Sequence, residues 1–211
     1  MYGNQCYQDF NDIRSQFYAS SEWASGYPAA TGIGTQHGGI LVDFNAVKGG
    51  IEIIPLDNDW QRAAHVYSDE VLISHRTDAE KGTPKFERGK SLSDHQQEMI
   101  YISGTAAIRG EESIVTGDVL VQTEITLENI QHLIGLEEGR EKLPEHSGKL
   151  ELLRVYLKHE EDAKIVKEDM DKLCPDVPIV YLYADVCREE LLVEIEAVSY
   201  THLTLPTTPY V

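Results

Sequence analysis

The chain has 211 residues, of which 41% are hydrophobic and 26% charged, a composition typical of a globular protein. Its net charge of −18 argues against nucleic-acid binding, although a small anionic substrate could bind where a few arginines reverse the field inside one pocket. No apolar run approaches a membrane span, and the three cysteines have neither disulfide nor zinc spacing, so we expect a cytoplasmic protein without membrane contact.

The first 24 residues contain one helical pattern. Phe10, Ile13, Phe17 and Tyr18 recur near helical spacing and predict a short amphipathic helix. A stretch rich in Gly, Ala and Thr follows at 25–39 and is typical of turns.

Two apolar runs then predict a β-hairpin. Residues 40–47 and 51–56 alternate as strands do, and the Gly49–Gly50 pair lies between them. The polar segment 74–97 is interrupted by Gly and Pro, and it predicts a loop or a domain boundary.

The second half of the chain alternates strands and helices. Asp118 is placed to cap a helix that Gly135 ends, and Ala163, Val166 and Met170 share one face of a later helix. The order predicts an α+β fold with a β-sheet and helices packed on one face. The predicted elements are strands at 98–108, 150–158, 178–186 and 190–198 and helices at 118–135 and 162–173.

The last predicted strand carries two carboxylates. Because strand side chains alternate between faces, Glu194 and Glu196 share the face opposite Val193 and Ile195. A glutamate at such a position is commonly solvated, but the apolar neighbours favour burial, and Arg188 at the preceding turn could pair with a carboxylate. A buried glutamate with a raised pKa would exchange protons near neutral pH.

Other motifs predict no chemistry. The Gly-rich run at 32–39 has the wrong spacing for a dinucleotide-binding turn, and no set of histidines has metal-ligand spacing. The segment 199–208, SYTHLTLPTT, resembles the translated read-through of a sequencing adapter, so we expect the natural chain to end at or just before Val198 and interpret 199–211 as an adapter-derived tail.

The segments at 101–134, 153–158 and 190–198 resemble the RidA (YjgF) family, which hydrolyses enamines and imines and has a chorismate-mutase-like α+β fold. The resemblance aligns the family's water-positioning glutamate with Glu194. The family's carboxylate-binding arginine is replaced by Ile179, which weighs against imine deamination.

A closer resemblance, to the chorismatases, also covers the upstream half. Their pattern is matched in order by seven segments, which are PAATGIG (28–34), NDWQRAAHVY (58–67), PKFER (84–88), SGTAAIRG (103–110), GD (117–118), QTEITLENI (122–130) and CREELLVEIE (187–196). The resemblance implies a RidA-like catalytic domain at 91–198 behind part of a related domain at 1–90. Since family members are longer at the N-terminus, we expect a fragment or a short member.

The same resemblance implies a reaction and a site. Chorismatases release pyruvate from chorismate, and the implied acid that protonates its enol ether is Glu194, with no metal or organic cofactor. The implied substrate-binding residues are Cys187, Ala106, Tyr67, Arg88 and Arg14. The product, either a dihydroxycyclohexadiene carboxylate or 3-hydroxybenzoate of secondary metabolism, stays open.

Two departures from the chorismatase pattern affect segments that the resemblance implies in substrate binding. Asp59 and Trp60 replace a proline and an arginine of the family pattern, and the segment before Pro84 lacks the family's form. A RidA-type deaminase or metabolite-binding protein and an inactive paralogue are the alternatives. The assembly is open between a homotrimer and a monomer with pseudo-symmetric domains.

Overall fold

The computed structural model describes the chain in seven ranges, which are residues 3–20, 22–23, 25–36, 38–72, 82–94, 96–135 and 149–202. The three helices are α1 (Gly3–Ala19), α2 (Val119–Leu133) and α3 (Ala163–Leu173). The strands are β1 (Glu52–Leu56), β2 (Gly89–Ser93), β3 (Gln97–Thr105), β4 (Ile108–Arg109), β5 (Glu112–Ser113), β6 (Lys149–Leu157), β7 (Ile179–Tyr183) and β8 (Val193–His202).

Six strands form one mixed sheet in the order β1-β2-β3-β8-β6-β7. All neighbours are antiparallel except β6 and β7, which are joined through α3 and run parallel. Strand β8 therefore has hydrogen-bonded neighbours on both sides, and its backbone is fixed by two ladders.

The main core lies between one face of this sheet and helices α2 and α3. Ile195 of β8, Leu153 of β6, Ile130 of α2 and Met170 of α3 are fully buried in one apolar cluster. The α+β class with helices on one face, predicted from the alternating pattern, is confirmed.

The ends of α2 follow the sequence closely. Asp118 accepts hydrogen bonds from the backbone amides of Leu120 and Val121, so it caps the helix as predicted. Gly135 has φ +70°, a left-handed conformation that glycine adopts without steric cost, and it terminates the helix after Ile134.

Three strand predictions were wrong. Residues 40–47 form no strand and are exposed, so the predicted hairpin is absent. Strand β1 pairs instead with β2, which lies inside the predicted loop at 74–97. The backbone hydrogen bonds of Gly89–Ser93 with β1 and β3 override its loop-like composition.

Two boundaries also differ from expectation. Strand β8 continues to His202 and pairs Ser199 with Ile100, so it is longer than the predicted strand at 190–198. The interpretation of 199–211 as adapter-derived stays a prediction, and residues 203–211 lie outside the described residues. The division between residues 90 and 91 falls inside β2, and the division into two domains itself stays a prediction.

Helix α1 is confirmed, but its buried side is polar. Gln8 and Asn11 are almost fully buried, whereas Phe10, Ile13 and Phe17 are 50–66% exposed. The apolar residues that predicted the helix therefore face outward. In the described ranges, no helix combines the length and the apolar character that a bilayer span requires.

Candidate active site

The two glutamates of strand β8 point away from the main core. Val193 and Ile195 point into the apolar cluster, so Glu194 and Glu196 lie on the opposite face of the sheet. Glu194 is only 5% exposed. Glu196 forms an ion pair with Arg154, its register partner on β6. The two carboxylates thus have different surroundings although they are two residues apart.

The surroundings of Glu194 favour its protonated form. The pKa of this carboxyl is raised from 4.5 to about 8, chiefly by burial and also by the negative charge of Glu196, while Arg88 partly offsets both effects. A carboxyl group with a pKa near 8 can donate a proton at neutral pH.

A β-bulge makes room for this carboxyl group. The register between β3 and β8 shifts between Ile102 and Thr105, and Gly104 lies within the shift. A Cβ atom built on Gly104 would overlap with Oε1 of Glu194. Only glycine therefore permits the observed position of the Glu194 side chain.

The segment PAATGIG packs against this bulge. The Gly104 amide donates to Thr31 Oγ1 at 2.9 Å instead of to β8. The Ser103 hydroxyl accepts from the Ala30 amide at 2.9 Å and donates to the Glu87 carbonyl at 2.6 Å. These bonds hold the segment over the end of β3 and explain why it borders the site.

One cavity joins Glu194 to all five predicted substrate-binding residues. Its lining consists of Tyr7, Gln8, Asn11, Arg14, Ala30, Gly32, Tyr67, Val71, Leu72, Phe86, Arg88, Gly104, Ala106, Ile108, Cys187, Arg188 and Glu194. The cavity has a volume of about 60 Å³, which exceeds the space that a single water molecule needs. Residues far apart in sequence thus share one cavity, while their individual roles stay predictions.

Three arginines line this cavity without a carboxylate ion-pair partner in the described part of the chain. Arg88 is buried, donates to the Arg62 carbonyl at 2.7 Å and also donates to the Tyr67 hydroxyl. Arg188 donates to the Glu111 carbonyl at 2.8 Å and to Ser113 Oγ at 3.0 Å.

Arg14 is the third of these arginines. Its Nη2 donates to Asn11 Oδ1 at 2.7 Å, and burial lowers its pKa. Three guanidinium groups beside a carboxyl that is largely neutral make the cavity positive, in contrast to the protein's net charge.

Tyr67 bridges two of the arginines. The guanidinium groups of Arg88 and Arg188 lie 5.6 Å and 5.5 Å from the centroid of its ring. Both distances are within cation–π range, so the ring orients both cations at the cavity wall.

Cys187 and Tyr7 occupy the same buried environment. Burial, with a contribution from nearby Glu194, raises the pKa of the Cys187 thiol to about 12. Burial also raises the pKa of the Tyr7 phenol. Both groups are therefore protonated at neutral pH, and Cys187 is not activated as a thiolate nucleophile.

Sequence reasoning missed the contribution of α1 beyond Arg14. Tyr7, Gln8 and Asn11 line the cavity, and the sequence offers one signal for this, since they recur with Arg14 at helical spacing opposite the apolar stripe. Gly104 was also missed as a site residue, although it stands inside the quoted SGTAAIRG match.

The two substitutions in NDWQ lie outside the lining. Trp60 stacks on His132 with ring centroids 3.8 Å apart, and Asp59 contacts the same histidine. Asn58 and Gln61 are buried and donate to backbone carbonyls of Asn129 and Ile108. This segment therefore supports the fold behind the site. Among the described residues, no cluster of His, Cys, Asp and Glu could hold a metal ion.

Comparison with known proteins gives three informative matches. The chain is 35% identical over 179 residues to the chorismatase of Streptomyces rapamycinicus, covering 81% of this chain and 50% of that protein. It is 32% identical over 210 residues to the 3-hydroxybenzoate synthase of Streptomyces hygroscopicus, covering 93% of this chain and 58% of that protein. A crystal structure of a chorismatase superposes with a TM-score of 0.70 and 27% identity, over 92% of this chain and 57% of that one.

The chain spans about half the length of the curated relatives it matches. No protein-family model matches it. The predicted resemblance to chorismatases is confirmed by the identities to proteins of that name and by the superposition. The chain is a homologue of the chorismatases and 3-hydroxybenzoate synthases and shares the fold of the chorismatase half that it covers.

Proposed function

We propose that this chain carries the active site of an enzyme that releases pyruvate from chorismate, with Glu194 as the proton donor. The observation that carries the proposal is a buried carboxyl group with a pKa of about 8 in a cavity lined by three arginines, none of which has a carboxylate partner in the described ranges. The names of the relatives suggest the substrate, and the cavity supplies the chemistry that such a substrate needs.

The charge of the cavity fits the proposed substrate. Chorismate carries two carboxylates, and arginine binds carboxylates through geometrically matched pairs of hydrogen bonds. Arg88, Arg188 and Arg14 offer guanidinium groups that form no ion pair with a carboxylate among the described residues. A protonated Glu194 adds no negative charge that would repel a dianion.

The reaction begins with proton transfer to carbon. Glu194 donates its proton to the methylene carbon of the enol ether, which becomes a methyl group and leaves an oxocarbenium centre next to the ether oxygen. Water adds to this centre and loses a proton, and the hemiketal collapses. The ether oxygen takes up a proton and leaves with the ring, so that one water is consumed and pyruvate is released.

The cavity residues assist this step without covalent chemistry. The protonated Cys187 thiol and the buried methyl group of Ala106 shape the surface against which the ring would lie. Neither group offers a nucleophile, and the proposed steps call for no metal or organic cofactor. Cys174 and Cys187 are free thiols, which supports the cytoplasm as the compartment of the enzyme.

A coupled assay tests the proposal. The protein is incubated with chorismate, and pyruvate is followed with lactate dehydrogenase. We expect release by the wild type and a loss of about a thousandfold in kcat for Glu194→Gln, since the amide cannot donate a proton to carbon. We also expect the wild-type rate to fall above pH 8, where Glu194 ionises.

Glu151→Gln is the matched control. Glu151 lies on the neighbouring strand β6, and its side chain is exposed. Its replacement should leave pyruvate release unchanged. Absence of release by the wild type, or full activity of Glu194→Gln, would contradict the proposal. RidA-type imine hydrolysis is the weaker candidate, because Ile179 stands where the resemblance to that family places its carboxylate-binding arginine.

A further inference from the structure

Helix α2 carries two amide side chains that bind the backbone of the site. Gln122 and Asn129 are fully buried. They are seven residues apart, which places them on the same face of the helix to within about 20°. Both belong to the QTEITLENI segment, to which the mechanism assigns no role. We call this pair the amide clamp.

Gln122 holds the turn that precedes β8. Its Nε2 donates to the Glu190 carbonyl at 2.9 Å, and its Oε1 accepts from the Leu192 amide at 2.8 Å. This turn carries Cys187 and Arg188 at its start and leads into Glu194 two residues after Leu192. One side chain thus fixes the backbone between three cavity residues.

Asn129 holds the turn at the end of β3. Its Nδ2 donates to the carbonyls of Ala106 at 3.0 Å and Ile108 at 3.1 Å, while its Oδ1 accepts from Arg109. Ala106 and Ile108 both line the cavity. The second member of the clamp therefore fixes the cavity residues at the end of β3.

These bonds leave the two backbone segments few alternatives. A buried carbonyl or amide that loses its partner retains its full desolvation penalty, so each segment is stabilised in the one conformation that the clamp accepts. Helix propensity does not explain buried amides at these positions, and neither side chain contributes to the apolar core.

We propose that Gln122 and Asn129 are positioning residues, which set the placement of Cys187 and Arg188 and of Ala106 in the cavity through the two turns they hold. The kinetic part of this inference rests on the proposed function. The structural part does not, because it concerns the conformation of the turns themselves.

The reactivity of two thiols separates positioning from general stability. Cys187 lies on the turn held by Gln122, whereas Cys174 is buried in the main core. Alkylation by iodoacetamide, followed residue by residue with peptide mass spectrometry, reports local opening at Cys187 and global opening at Cys174.

For Gln122→Met, which keeps the length and removes the hydrogen bonds to Glu190, Leu192 and the Ile114 carbonyl, we expect about tenfold faster alkylation of Cys187 and an unchanged rate at Cys174. Asn129→Leu should leave the rate at Cys187 within about twofold, because it releases the other turn. Thr123→Val is the matched control, since this buried hydroxyl donates only to the Val119 carbonyl within α2.

Equal acceleration at both cysteines of Gln122→Met would show a merely structural role, and no acceleration at Cys187 would show that the turn does not depend on Gln122. Either result overturns the inference.

With chorismate, we expect Gln122→Met to raise KM about tenfold and to change kcat less, while Thr123→Val changes neither. If the wild type releases no pyruvate, the proposed function fails and the alkylation rates still decide this inference.

Discussion

Two walls enclose the candidate site: strands β3 and β8 supply one, and helix α1 supplies the other. The sheet wall stands on the main core, where Val193 and Ile195 are fully buried behind Glu194. Each such side chain contributes about 1.5–3 kcal/mol of burial free energy. The helix wall is attached through polar groups, among them Gln8, which donates to the Gly82 carbonyl at 2.9 Å, and Asp12, which accepts from the Gly82 amide at 2.8 Å.

The difference suggests that the two walls have different roles in the site. A net contribution of about 0.5–1.5 kcal/mol for each hydrogen bond makes the attachment of α1 weaker than that of β8. Groups that must be placed accurately, such as the proposed acid, lie on the sheet wall. Groups that need only supply charge, such as Arg14, lie on the helix wall. The predictions below test whether the two walls differ in this way.

The largest expected effect is on the pH dependence of stability at the sheet wall. The folded-state pKa of Glu194, about 8, lies above its ordinary value of 4.5. Between these values the unfolded chain has lost the proton that the folded chain retains. Stability from this group is therefore fully present below pH 4.5 and is lost as the pH rises to 8, by at most about 1.4 kcal/mol per pH unit.

Urea unfolding at pH 5 and pH 8 measures this effect. Relative to Glu194→Gln, which does not titrate, the wild type should lose up to about 4 kcal/mol over this interval. Parallel pH profiles for the two proteins would show that Glu194 titrates normally, and the sheet wall would then offer no special environment for an acid.

The next effect concerns Gly104. In Gly104→Ala, the added methyl group occupies the position of the Glu194 carboxyl, so this side chain must move away from the cavity. We expect a loss of about a hundredfold in kcat/KM for pyruvate release, on the scale that misplacement of a reacting group produces. The measurement is the steady-state rate with chorismate.

A double-mutant cycle supplies the control for Gly104. If the methyl group acts through the carboxyl, Gly104→Ala should cost little further activity in the Glu194→Gln background. Additive losses would show instead that Gly104 affects the site independently of Glu194.

The sheet wall was also the part that the sequence predicted best. Strands β3, β6 and β8 and helix α2 repeat apolar residues at the period of their structure, because one face of each meets the same core. Sequence resemblance then selected Glu194 from two equivalent glutamates. Periodicity could not make this choice, since both lie on one face, and their surroundings differ through the bulge beside Glu194 and the ion pair of Glu196 with Arg154.

The errors arose where polar groups are buried or apolar groups exposed. Lys90 and Ser91 on β2 are buried, although their composition is typical of a loop. Ile40 and Leu41 are about nine-tenths exposed, although their run is typical of a strand. The buried side of helix α1 was missed for the same reason, because a search for apolar burial cannot identify a polar face that borders a cavity.

Arg14 tests the helix wall and has the smallest expected effect. Its burial lowers the pKa of the guanidinium, which means that the charged form is held at a cost. Arg14→Met removes that charge and keeps an unbranched apolar stem. We therefore expect the urea midpoint to stay constant or rise slightly, while KM for chorismate increases about tenfold and kcat changes little.

Ile13→Ala is the neighbouring control on the same helix. Ile13 is 66% exposed, so its truncation should leave both KM and the urea midpoint unchanged. An unchanged KM for Arg14→Met would remove Arg14 from the substrate-binding set. A larger loss of stability for Ile13→Ala than for Arg14→Met would mean that the apolar face anchors the helix. In that case both walls would depend on apolar burial, and the proposed contrast between them would be wrong.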